Sequence, residues 1–378
     1  MHRNLKLCFV VGARPNFMKI APIIKALDSV SEKGSPSGED RKLEYIIVHT
    51  GQHYDKNMSE VFFRDLGIPE PDWNLEVGSG SHAQQTADVM IAFEEVLYKE
   101  RPDVVIVVGD VNSTIACSLT AKKLHIKVAH VEAGLRSFDE AMPEEINRRL
   151  TDSISDLLFV TEQAGLDNLL REGINEKRVH FVGNVMIDTL MECLRRLDEC
   201  TYFPREEIVQ WTNLHEKYAV LTLHRPSNVD DRETLTDIWS AIEEIADQIP
   251  VLFPIHPRTR KQMEDFGLPL NGVNIVEPIG YVDMLYAVKR AALVMTDSGG
   301  LQEETTAMGI HCLTIRENTE RPVTIDVGTN YLVGTESFKI RETADLILKG
   351  YGKKGEIPPL WDGRASERIV RILADLVP

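Results

Sequence analysis

Residues 104–136 have the sequence VVIVVGDVNSTIACSLTAKKLHIKVAHVEAGLR, and this stretch decides the fold class. Its two outer segments, Val104–Val108 and Val128–Val131, are short, apolar and rich in β-branched residues. Strands of this kind are buried on both faces, which is typical of a parallel sheet. The intervening Thr114–Leu124 has a helical pattern, so the stretch predicts a strand–helix–strand unit.

The same alternation of short apolar strands and longer amphipathic stretches continues along the chain in two series. The other predicted strands of the first series are Leu7–Val11, Tyr45–His49 and Leu157–Val160, and its other helices are Lys19–Val30, His82–Lys99 and Glu144–Asp156. The predicted strands of the second series are Ala219–Leu223, Val251–Ile255, Asn274–Val276, Leu293–Thr296 and Cys312–Ile315. Two such series in 378 residues predict an α/β protein with two Rossmann-like, doubly wound domains.

The boundary between the two series is predicted near Val182–Asn184, just before the helical stretch Met186–Cys200. Lys349–Gly363 is rich in Gly, Pro and Lys and is typical of a linker. The amphipathic Ala365–Leu376 that follows is predicted to return to the first domain. The expected domains are therefore residues 1–183 with 364–378, and residues 184–363.

Composition and charge narrow the class of protein. A net charge of −17 argues against bulk binding of nucleic acid, which needs a basic surface. The five cysteines are scattered, without a C-x-x-C pair, which predicts reduced thiols in the cytoplasm. No apolar run is long enough for a membrane span, and the N-terminal run is too short for a signal peptide. An anionic ligand would need a local cluster of cations in so acidic a protein.

Polar residues follow the predicted strands of the first series, and open parallel sheets bind ligands beyond the carboxyl ends of their strands. The first strand leads into Gly12-Ala13-Arg14-Pro15, with Lys19 one helical turn later, which suits a positively charged helix start. Asp110 follows the strand Val104–Val108, where an Asp is as often a cap or turn residue as a functional one. Glu132 continues an apolar strand, where a carboxylate needs a partner or a wet cleft, so it is the stronger catalytic candidate.

The segment after Glu132 contains a further pair of acids. Pro143, Glu144 and Glu145 are typical of a first helical turn that faces the helix dipole, and this structural role is sufficient to explain Glu145. Glu144 and Arg148 are four residues apart and share one face of the helix. They can pair with each other or point into a site.

The second series has a similar set of strand ends. His224 and His256 follow successive strands, and Ser298-Gly299-Gly300 precedes a helix. Glycines at a helix start let backbone N–H groups approach an anion, so this set predicts a diphosphate site. Glu303 and Glu304, just downstream, suit ribose hydroxyls. Neither a Walker loop, nor a dinucleotide fingerprint, nor metal-ligand spacing is present.

The motifs resemble one family in order and spacing over nearly the whole chain. They are G-A-R-P, G-D-V-N-S-T, H-V-E-A-G-L-R-S, P-E-E-I-N-R, L-H-R, T-D-S-G-G-L-Q-E-E and R-E-N-T-E-R-P. Together they resemble the non-hydrolysing UDP-N-acetylglucosamine 2-epimerases. The resemblance implies a GT-B-type arrangement with the nucleotide sugar in the interdomain cleft, a homodimer, and neither metal nor nicotinamide cofactor.

The resemblance also implies roles for individual residues. The implied catalytic residues are Asp110, Glu132, Glu144 and His224. The implied substrate-binding residues are Arg14, Lys19, Arg136, Arg148, His256, Arg258, Met284, Ser298, Gly299, Gly300, Glu304 and Arg321. The implied reaction removes the C2 proton while UDP leaves C1, forms a 2-acetamidoglucal, and adds UDP back after reprotonation of the other face.

Several alternatives stay open at this point. The same chemistry on a UDP-2,3-diacetamido-uronic acid is the nearest one, and the motifs do not assign each acid to a face of C2. A GT-B glycosyltransferase would share the fold and the UDP site, but it would need an acceptor groove. A silent UDP-sugar sensor would not need three converging carboxylates.

Three places in the sequence depart from many bacterial relatives. Where they have Gln-His-Arg-Glu and further arginines that help to bind an activating UDP-N-acetylglucosamine, this chain has Gln52-His53-Tyr54-Asp55, the loop Gly78–His82, and Pro226 after Arg225. Loss of these cationic donors predicts hyperbolic kinetics without an obligatory activator.

Overall fold

The computed structural model describes residues 4–33, 43–51 and 67–376. The stretch Gln52–Asp55, which departs from bacterial relatives, lies outside the described residues. Contacts within the chain divide it into two compact units, residues 1–189 with 359–378, and residues 190–358. The boundaries predicted from the sequence, at 183/184 and 363/364, lie within six residues of these limits.

Unit 1 is built on one parallel sheet. Among the described residues its strands have the order β3-β2-β1-β4-β5-β6-β7, and every pair is parallel. The strands are β1 (Leu5–Val11), β2 (Leu43–His49), β3 (Trp73–Asn74), β4 (Val104–Val108), β5 (Lys127–Ala133), β6 (Leu157–Val160) and β7 (Val179–Phe181). The helices are α1 (Arg14–Lys33), α2 (His82–Glu100), α3 (Asn112–Lys123), α4 (Pro143–Ile154), α5 (Gln163–Arg171), α6 (Val185–Asp198), whose last residues belong to unit 2, and the C-terminal α15 (Ala365–Ala374).

Unit 2 has the same winding. Its described strands have the order β10-β9-β8-β11-β12-β13, again all parallel. The strands are β8 (Ala219–Thr222), β9 (Val251–Pro254), β10 (Asn274–Val276), β11 (Leu293–Thr296), β12 (Cys312–Thr314) and β13 (Asn330–Leu332). The helices are α7 (Glu206–Leu214), α8 (Pro226–Val229), α9 (Arg232–Ala246), α10 (Pro257–Phe266), α11 (Tyr281–Val288), α12 (Gly299–Met308), α13 (Val323–Asp326) and α14 (Ser337–Leu348).

Burial on both faces explains why the strands lack an alternating pattern. In β8, Ala219 and Leu221 pack into the core on one face of the sheet, while Val220 between them packs into the core on the other face. Successive side chains of a strand point to opposite faces, so a strand covered by helices on both sides must be apolar throughout. The prediction of two Rossmann-like domains is confirmed by these two sheets.

Each sheet has one point at which its strand order reverses. In unit 1 this point lies between β1 and β4, and in unit 2 between β8 and β11. The helices that follow the two neighbouring strands lie on opposite faces there, which leaves a crevice at the carboxyl ends of the strands. The polar motifs at Gly12, Asp110, His224 and Asp297 all follow one of these four strands.

The C-terminal helix α15 belongs to unit 1. Its first backbone N–H groups are capped by a side chain of another helix: Asp188 of α6 accepts hydrogen bonds from Ala365 N at 3.0 Å and Ser366 N at 2.7 Å. A carboxylate at a helix N-terminus satisfies donors that the helix itself leaves without partners.

Candidate active site

Glu132 has an unusual backbone conformation at the end of β5. The pairing of β5 with β6 shifts register between Val131 and Ala133, so Glu132 is the extra residue of a β-bulge. Its φ of 74° lies in the left-handed region, which costs a residue with a side chain on the order of 1–3 kcal/mol. Bulges redirect side chains next to active sites, and here the carboxylate is buried in an ion pair with the Lys19 ammonium.

Gly109 brings the next strand end against this ion pair. A Cβ atom at Gly109 would lie 3.1 Å from Lys19 Nζ, 3.4 Å from Glu132 Oε2 and 3.5 Å from Asn16 Nδ2. Gly109 also has a φ of 68°, so the turn before Asp110 requires both the small size and the conformational freedom of glycine. The backbone of Asp110 therefore starts beside the buried Lys19–Glu132 pair.

Asn16 connects the first and fourth strand ends. Its Oδ1 accepts hydrogen bonds from Gly12 N at 3.1 Å and Ala13 N at 2.9 Å, and its Nδ2 donates to Val108 O at 3.1 Å. The side chain is buried, so these bonds are protected from water. Asn16 thereby holds the turn that precedes Arg14, the first residue of α1, against the turn that precedes Asp110.

Arg148 connects Asp110 to helix α4. Its Nη2 lies 2.8 Å from Asp110 Oδ2, and its Nη1 lies 2.7 Å from Glu145 Oε2. Glu145 also accepts hydrogen bonds from Ser137 N at 2.8 Å and Phe138 N at 3.3 Å, so it orders the loop that follows β5. This supports the structural interpretation of Glu145, because its carboxylate is used within the protein.

Glu144 lies in the first turn of α4 and is half-buried, one residue before the buried Glu145. Asn147 of the same helix donates to the Asp110 carbonyl oxygen at 2.9 Å, which ties α4 to the Asp110 turn. Unit 1 thus brings Lys19, Glu132, Asp110 and Arg148 to the reversal point of its sheet.

In unit 2, the buried Asp297 organises the end of β8. Its Oδ2 accepts hydrogen bonds from His224 N at 2.9 Å and Arg225 N at 2.8 Å, and its Oδ1 lies 2.9 Å from His224 Nδ1. Burial by itself would raise the pKa of Asp297, but the hydrogen bonds from His224 and the two amides hold it below its ordinary value. The His224 ring is therefore oriented by an ionised carboxylate and is 41% exposed at the site.

His256 is the N-cap of α10, and its Nδ1 accepts from Arg258 N at 3.2 Å. Its ring centroid lies 6.0 Å from that of His224. Burial, together with the neighbouring His224 and Arg258, lowers the pKa of His256, so the ring is neutral at pH 7. The two histidines that follow successive strands are thus neighbours, as their positions in the sequence predict.

Helix α12 begins at Gly299, and its N-cap Ser298 makes no side-chain capping hydrogen bond. A Cβ atom at Gly299 would lie 2.8 Å from Arg321 Nη1, whereas one at Gly300 would meet nothing within 4 Å. A side chain at Gly299 would therefore displace the guanidinium of Arg321 from its present position. Gly300 faces open space, which leaves the backbone of the first helical turn accessible to an anion.

Three arginines lie close together beside this helix start. Arg316 makes two hydrogen bonds of 2.9 Å to Glu320, and Arg321 donates to Glu303 Oε1 at 2.6 Å. Burial and then the charge of Arg316 lower the pKa of Arg225, an effect that is only partly offset by Glu320. Arg316 and Arg321 are thus paired with carboxylates, so the cluster brings three guanidinium groups to this helix start together with their counter-ions.

Glu304 is buried one turn into α12. Burial raises the pKa of this carboxyl to about 8; a hydrogen bond with Tyr281 opposes the rise, and the charge of Glu303 adds to it. It can therefore donate a hydrogen bond near neutral pH as well as accept one, which suits contact with hydroxyl groups.

Comparisons with known proteins give this arrangement a context. Residues 37–374 match the family model described as UDP-N-acetylglucosamine 2-epimerase. The chain belongs to this family. A curated UDP-N-acetylglucosamine 2-epimerase of Methanocaldococcus jannaschii is 42% identical over 98% of this chain and 99% of its own length.

Two further relatives bear on the substrate and the fold. A UDP-2,3-diacetamido-2,3-dideoxy-D-glucuronate 2-epimerase of Pseudomonas aeruginosa is 41% identical over 98% of this chain and 100% of its own length. The crystal structure of the M. jannaschii UDP-GlcNAc 2-epimerase with UDP-GlcNAc and UDP has a TM-score of 0.86, covering 98% of this chain and all of that one. The two sheets are thus those of a GT-B-type epimerase, as predicted.

One predicted substrate-binding residue has a different place in the structure. Arg136 is buried and its guanidinium is used entirely within unit 1, by Asp152, by Glu172 and by the carbonyl oxygen of Leu135. Substrate binding by Arg136 therefore stays a prediction, and these contacts within unit 1 do not support it. Its counter-ions come from distant helices, so the sequence does not reveal them.

Two other residues predicted to bind substrate make contacts within unit 2 that neither support nor exclude this role. Arg258 is exposed and pairs with Asp230 at 2.8 Å, and Met284 of α11 packs against the core that contains Ala287 and Val288. Substrate binding by Arg258 and by Met284 therefore stays a prediction. Conversely, the sequence does not single out Asn16, Arg225 and Arg316. Asn16 lies two residues after Arg14, Arg225 is the last residue of the L-H-R motif, and Arg316 is the first residue of R-E-N-T-E-R-P.

Within residues 4–33, 43–51 and 67–376, no three His, Cys, Asp or Glu side chains are grouped so that they could hold a metal ion. In the same ranges, the helices are all too short or too polar to pass through a lipid bilayer.

Proposed function

We propose that this protein interconverts UDP-N-acetylglucosamine and UDP-N-acetylmannosamine by inversion at C2. The observation that carries this proposal is the buried Lys19–Glu132 pair at the reversal point of unit 1, with Asp110 beside it. The left-handed conformation of Glu132 lowers the stability of the fold. Because strain of this kind persists mainly at functional sites, it supports a role of this carboxylate in proton transfer. Family membership supports the same activity.

The proposed reaction starts with departure of UDP. The C2 hydrogen is not acidic, so its removal must be coupled to the loss of a stabilised leaving group from C1. The first turn of α12 and the arginines Arg225, Arg316 and Arg321 would stabilise the charge that develops on the diphosphate. His224, which Asp297 orients, would donate to the same group.

The proposed proton transfers use unit 1. One of the carboxylates Asp110, Glu132 and Glu144 would take the C2 proton as the C1–O bond breaks, which leaves a double bond between C1 and C2 in a 2-acetamidoglucal. A proton delivered to the opposite face of C2 and re-addition of the UDP oxygen at C1 would then complete the inversion. Two faces require two proton-transfer groups, which accounts for more than one acid at this point.

Deuterium incorporation tests the route. In D2O, the product of the proposed reaction is expected to carry deuterium at C2, because the proton is exchanged with the carboxylates and solvent. Proton NMR of the C2 and anomeric signals during turnover of UDP-N-acetylglucosamine measures this directly. Product that keeps its original hydrogen would contradict elimination, and absence of any conversion would contradict the epimerase itself.

The diacetamido-uronate substrate is a second candidate because the P. aeruginosa relative is 41% identical, against 42% for the M. jannaschii one. The same NMR assay with both UDP-sugars distinguishes the two, since the better substrate shows the higher kcat/KM. A glycosyltransferase without its acceptor would leave C2 of either sugar unchanged. By family resemblance we further propose a cytoplasmic homodimer that supplies polysaccharide synthesis, which sedimentation and localisation measurements would test.

Gly300→Ala is expected to weaken UDP binding by about 10- to 100-fold, because the added methyl group would stand over the backbone N–H groups of the helix start. The free energy of unfolding should stay constant or rise by up to about 1 kcal/mol, since Ala favours a helix and meets no neighbouring atom. Calorimetric titration with UDP and urea unfolding measure the two effects. Gly78→Ala in unit 1, where a Cβ also meets nothing within 4 Å, is the matched control. Unchanged UDP affinity would exclude this helix start as the phosphate site.

The free energy of unfolding of Glu304→Gln is expected to increase relative to that of the wild type as pH rises from about 5 to about 8. The wild-type carboxyl has a raised pKa of about 8 in the fold, so its stabilising protonated form is lost as pH rises through that value. Gln does not titrate and escapes this loss. Thermal unfolding of the two proteins across this range measures the difference, with the exposed Glu342→Gln as control. A pH-independent difference would contradict a buried, titrating Glu304.

A further inference from the structure

His130 is a fully buried histidine that the proposed mechanism does not use. It lies on β5, two residues before Glu132. Its Nδ1 is 2.7 Å from Asp152 Oδ1, and its Nε2 is 2.8 Å from the carbonyl oxygen of Gly109. Both ring nitrogens are therefore within hydrogen-bonding distance of oxygen atoms.

These partners determine how many protons the ring carries. The Gly109 carbonyl oxygen can only accept, so Nε2 must donate. Asp152 is held as an anion by further donors: its Oδ2 accepts from Gly134 N at 3.1 Å and lies 2.8 Å from Arg136 Nη1. A carboxylate opposite Nδ1 also accepts, which requires a proton on both ring nitrogens.

The surrounding charges are arranged to balance a cationic ring. Burial by itself would raise the pKa of Asp152, but the hydrogen bond and charge of His130 and then the charge of Arg136 hold it below its ordinary value. The row continues from Arg136 to Glu172, at the C-terminal end of α5, through bonds of 2.8 and 2.7 Å. Positive and negative groups thus alternate along His130, Asp152, Arg136 and Glu172, which offsets the cost of burying them.

Two further charged side chains among the described residues lie near this row. Arg178, which follows α5, donates to the Asp152 carbonyl oxygen at 3.1 Å, so its contact is with the backbone of α4 and not with the carboxylate. On the side of β4, the next residue after Gly109 is Asp110, whose carboxylate is paired with Arg148. A positive His130 therefore has an anionic partner on α4 and a carbonyl oxygen on β4.

We propose that His130 is a protonated positioning residue, whose two ring N–H groups hold the backbone at the two strand ends that carry Asp110 and Glu132. The Nε2–H group fixes the carbonyl of Gly109, the residue before Asp110. Through Asp152, the Nδ1–H group fixes the amide of Gly134, two residues after Glu132. This role rests on the proposed epimerase function, whereas the charge of the ring does not.

The charge of the ring is measured on the wild-type protein. Two-dimensional ¹⁵N NMR of labelled protein, with the His130 ring connected to its own backbone signals by triple-resonance experiments, is expected to show both ring nitrogens protonated at pH 7. His180 is the contrast, because burial lowers its pKa and a neutral ring is expected at the same pH. A His130 ring with one unprotonated nitrogen at pH 7 would overturn the proposal, whatever the activity.

The positioning role is measured by kinetics. His130→Gln can donate to only one of the two partners, so kcat is expected to fall by about 10- to 100-fold, because misplacement of reacting groups by about 1 Å has effects of this size. KM and the stoichiometry of UDP binding should change little, since the UDP-binding residues are expected on unit 2. His180→Gln, outside the site, is the control with unchanged kcat.

The outcomes separate the two proposals. A His130→Gln protein that binds UDP normally and keeps its kcat would overturn the positioning role. If the His130→Gln variant does not fold, NMR of the wild type still determines the charge of the ring. Glu172→Gln, at the partly exposed end of the row, then replaces His130→Gln in the kinetic test. A smaller fall in kcat is expected for Glu172→Gln, and an unchanged kcat would overturn the positioning role. A wild type that converts no UDP-sugar would instead overturn the proposed function, with the NMR result unaffected.

Discussion

Glu132→Gln is expected to lower the turnover of UDP-N-acetylglucosamine by about 10²–10⁴-fold, while the dissociation constant of UDP stays nearly the same. The amide has the shape of the carboxylate but cannot accept the C2 proton. Its position on a strained bulge means that no neighbouring acid can easily take its place. Steady-state kinetics by NMR and calorimetric titration with UDP measure the two quantities.

The control for this substitution is Glu176→Gln, an exposed glutamate of unit 1 that should leave both quantities unchanged. The stability of Glu132→Gln must be measured as well, because the buried Lys19 loses its anionic partner. A folded variant with near-normal turnover would remove Glu132 from the mechanism. A variant that loses UDP binding in proportion to turnover would indicate misfolding and not loss of a proton-transfer group.

Gly134→Ala is expected to reduce the free energy of unfolding of unit 1 by roughly 2–5 kcal/mol. Gly134 has a φ of 84°, and a Cβ atom there would lie 2.8 Å from Gly165 Cα and closer still to its carbonyl oxygen. Backbone atoms cannot move aside as the end of a flexible side chain can, so the clash must distort the start of α5. Urea unfolding with matched m-values measures the loss.

Gly173→Ala provides the matched control for Gly134→Ala. Gly173 has a similar φ of 79°, but a Cβ atom there would meet nothing within 4 Å. Its substitution therefore carries the cost of the left-handed conformation alone, about 1–2 kcal/mol. Equal losses for the two variants would show that the contact with Gly165 contributes nothing.

The outcome for the strands illustrates what a hydrophobic pattern can predict. Val104–Val108 and Leu157–Val160 were located without error, because a short, uninterrupted apolar run is typical of a strand that is buried on both faces of a parallel sheet. The short strands β3, β7 and β13 were missed. They contain two or three residues each and lie at the edges of the sheets, where one strand neighbour is lacking and burial is partial.

In the candidate active site, too, some features could be predicted from the sequence and others could not. Glu132 could be singled out from the sequence because a carboxylate at the end of an apolar strand has an obvious energetic cost. Its bulge could not be foreseen, because a register shift depends on how β5 pairs with β6. The ion pairs of Arg136 could not be foreseen for a related reason: its counter-ions Asp152 and Glu172 are 16 and 36 residues away and reach it only in the folded domain.

The sequence alone therefore determined the two Rossmann-like domains and the strand ends at which functional residues stand, because burial on both faces of a sheet leaves a local pattern that every strand carries. Only the tertiary structure decided which of these polar residues meet. Lys19 reaches Glu132 across 113 residues, and His130 meets both Gly109 and Asp152, through strand order and register that no local segment encodes. The charge of a buried group depends on such distant partners, since burial alone would neutralise it.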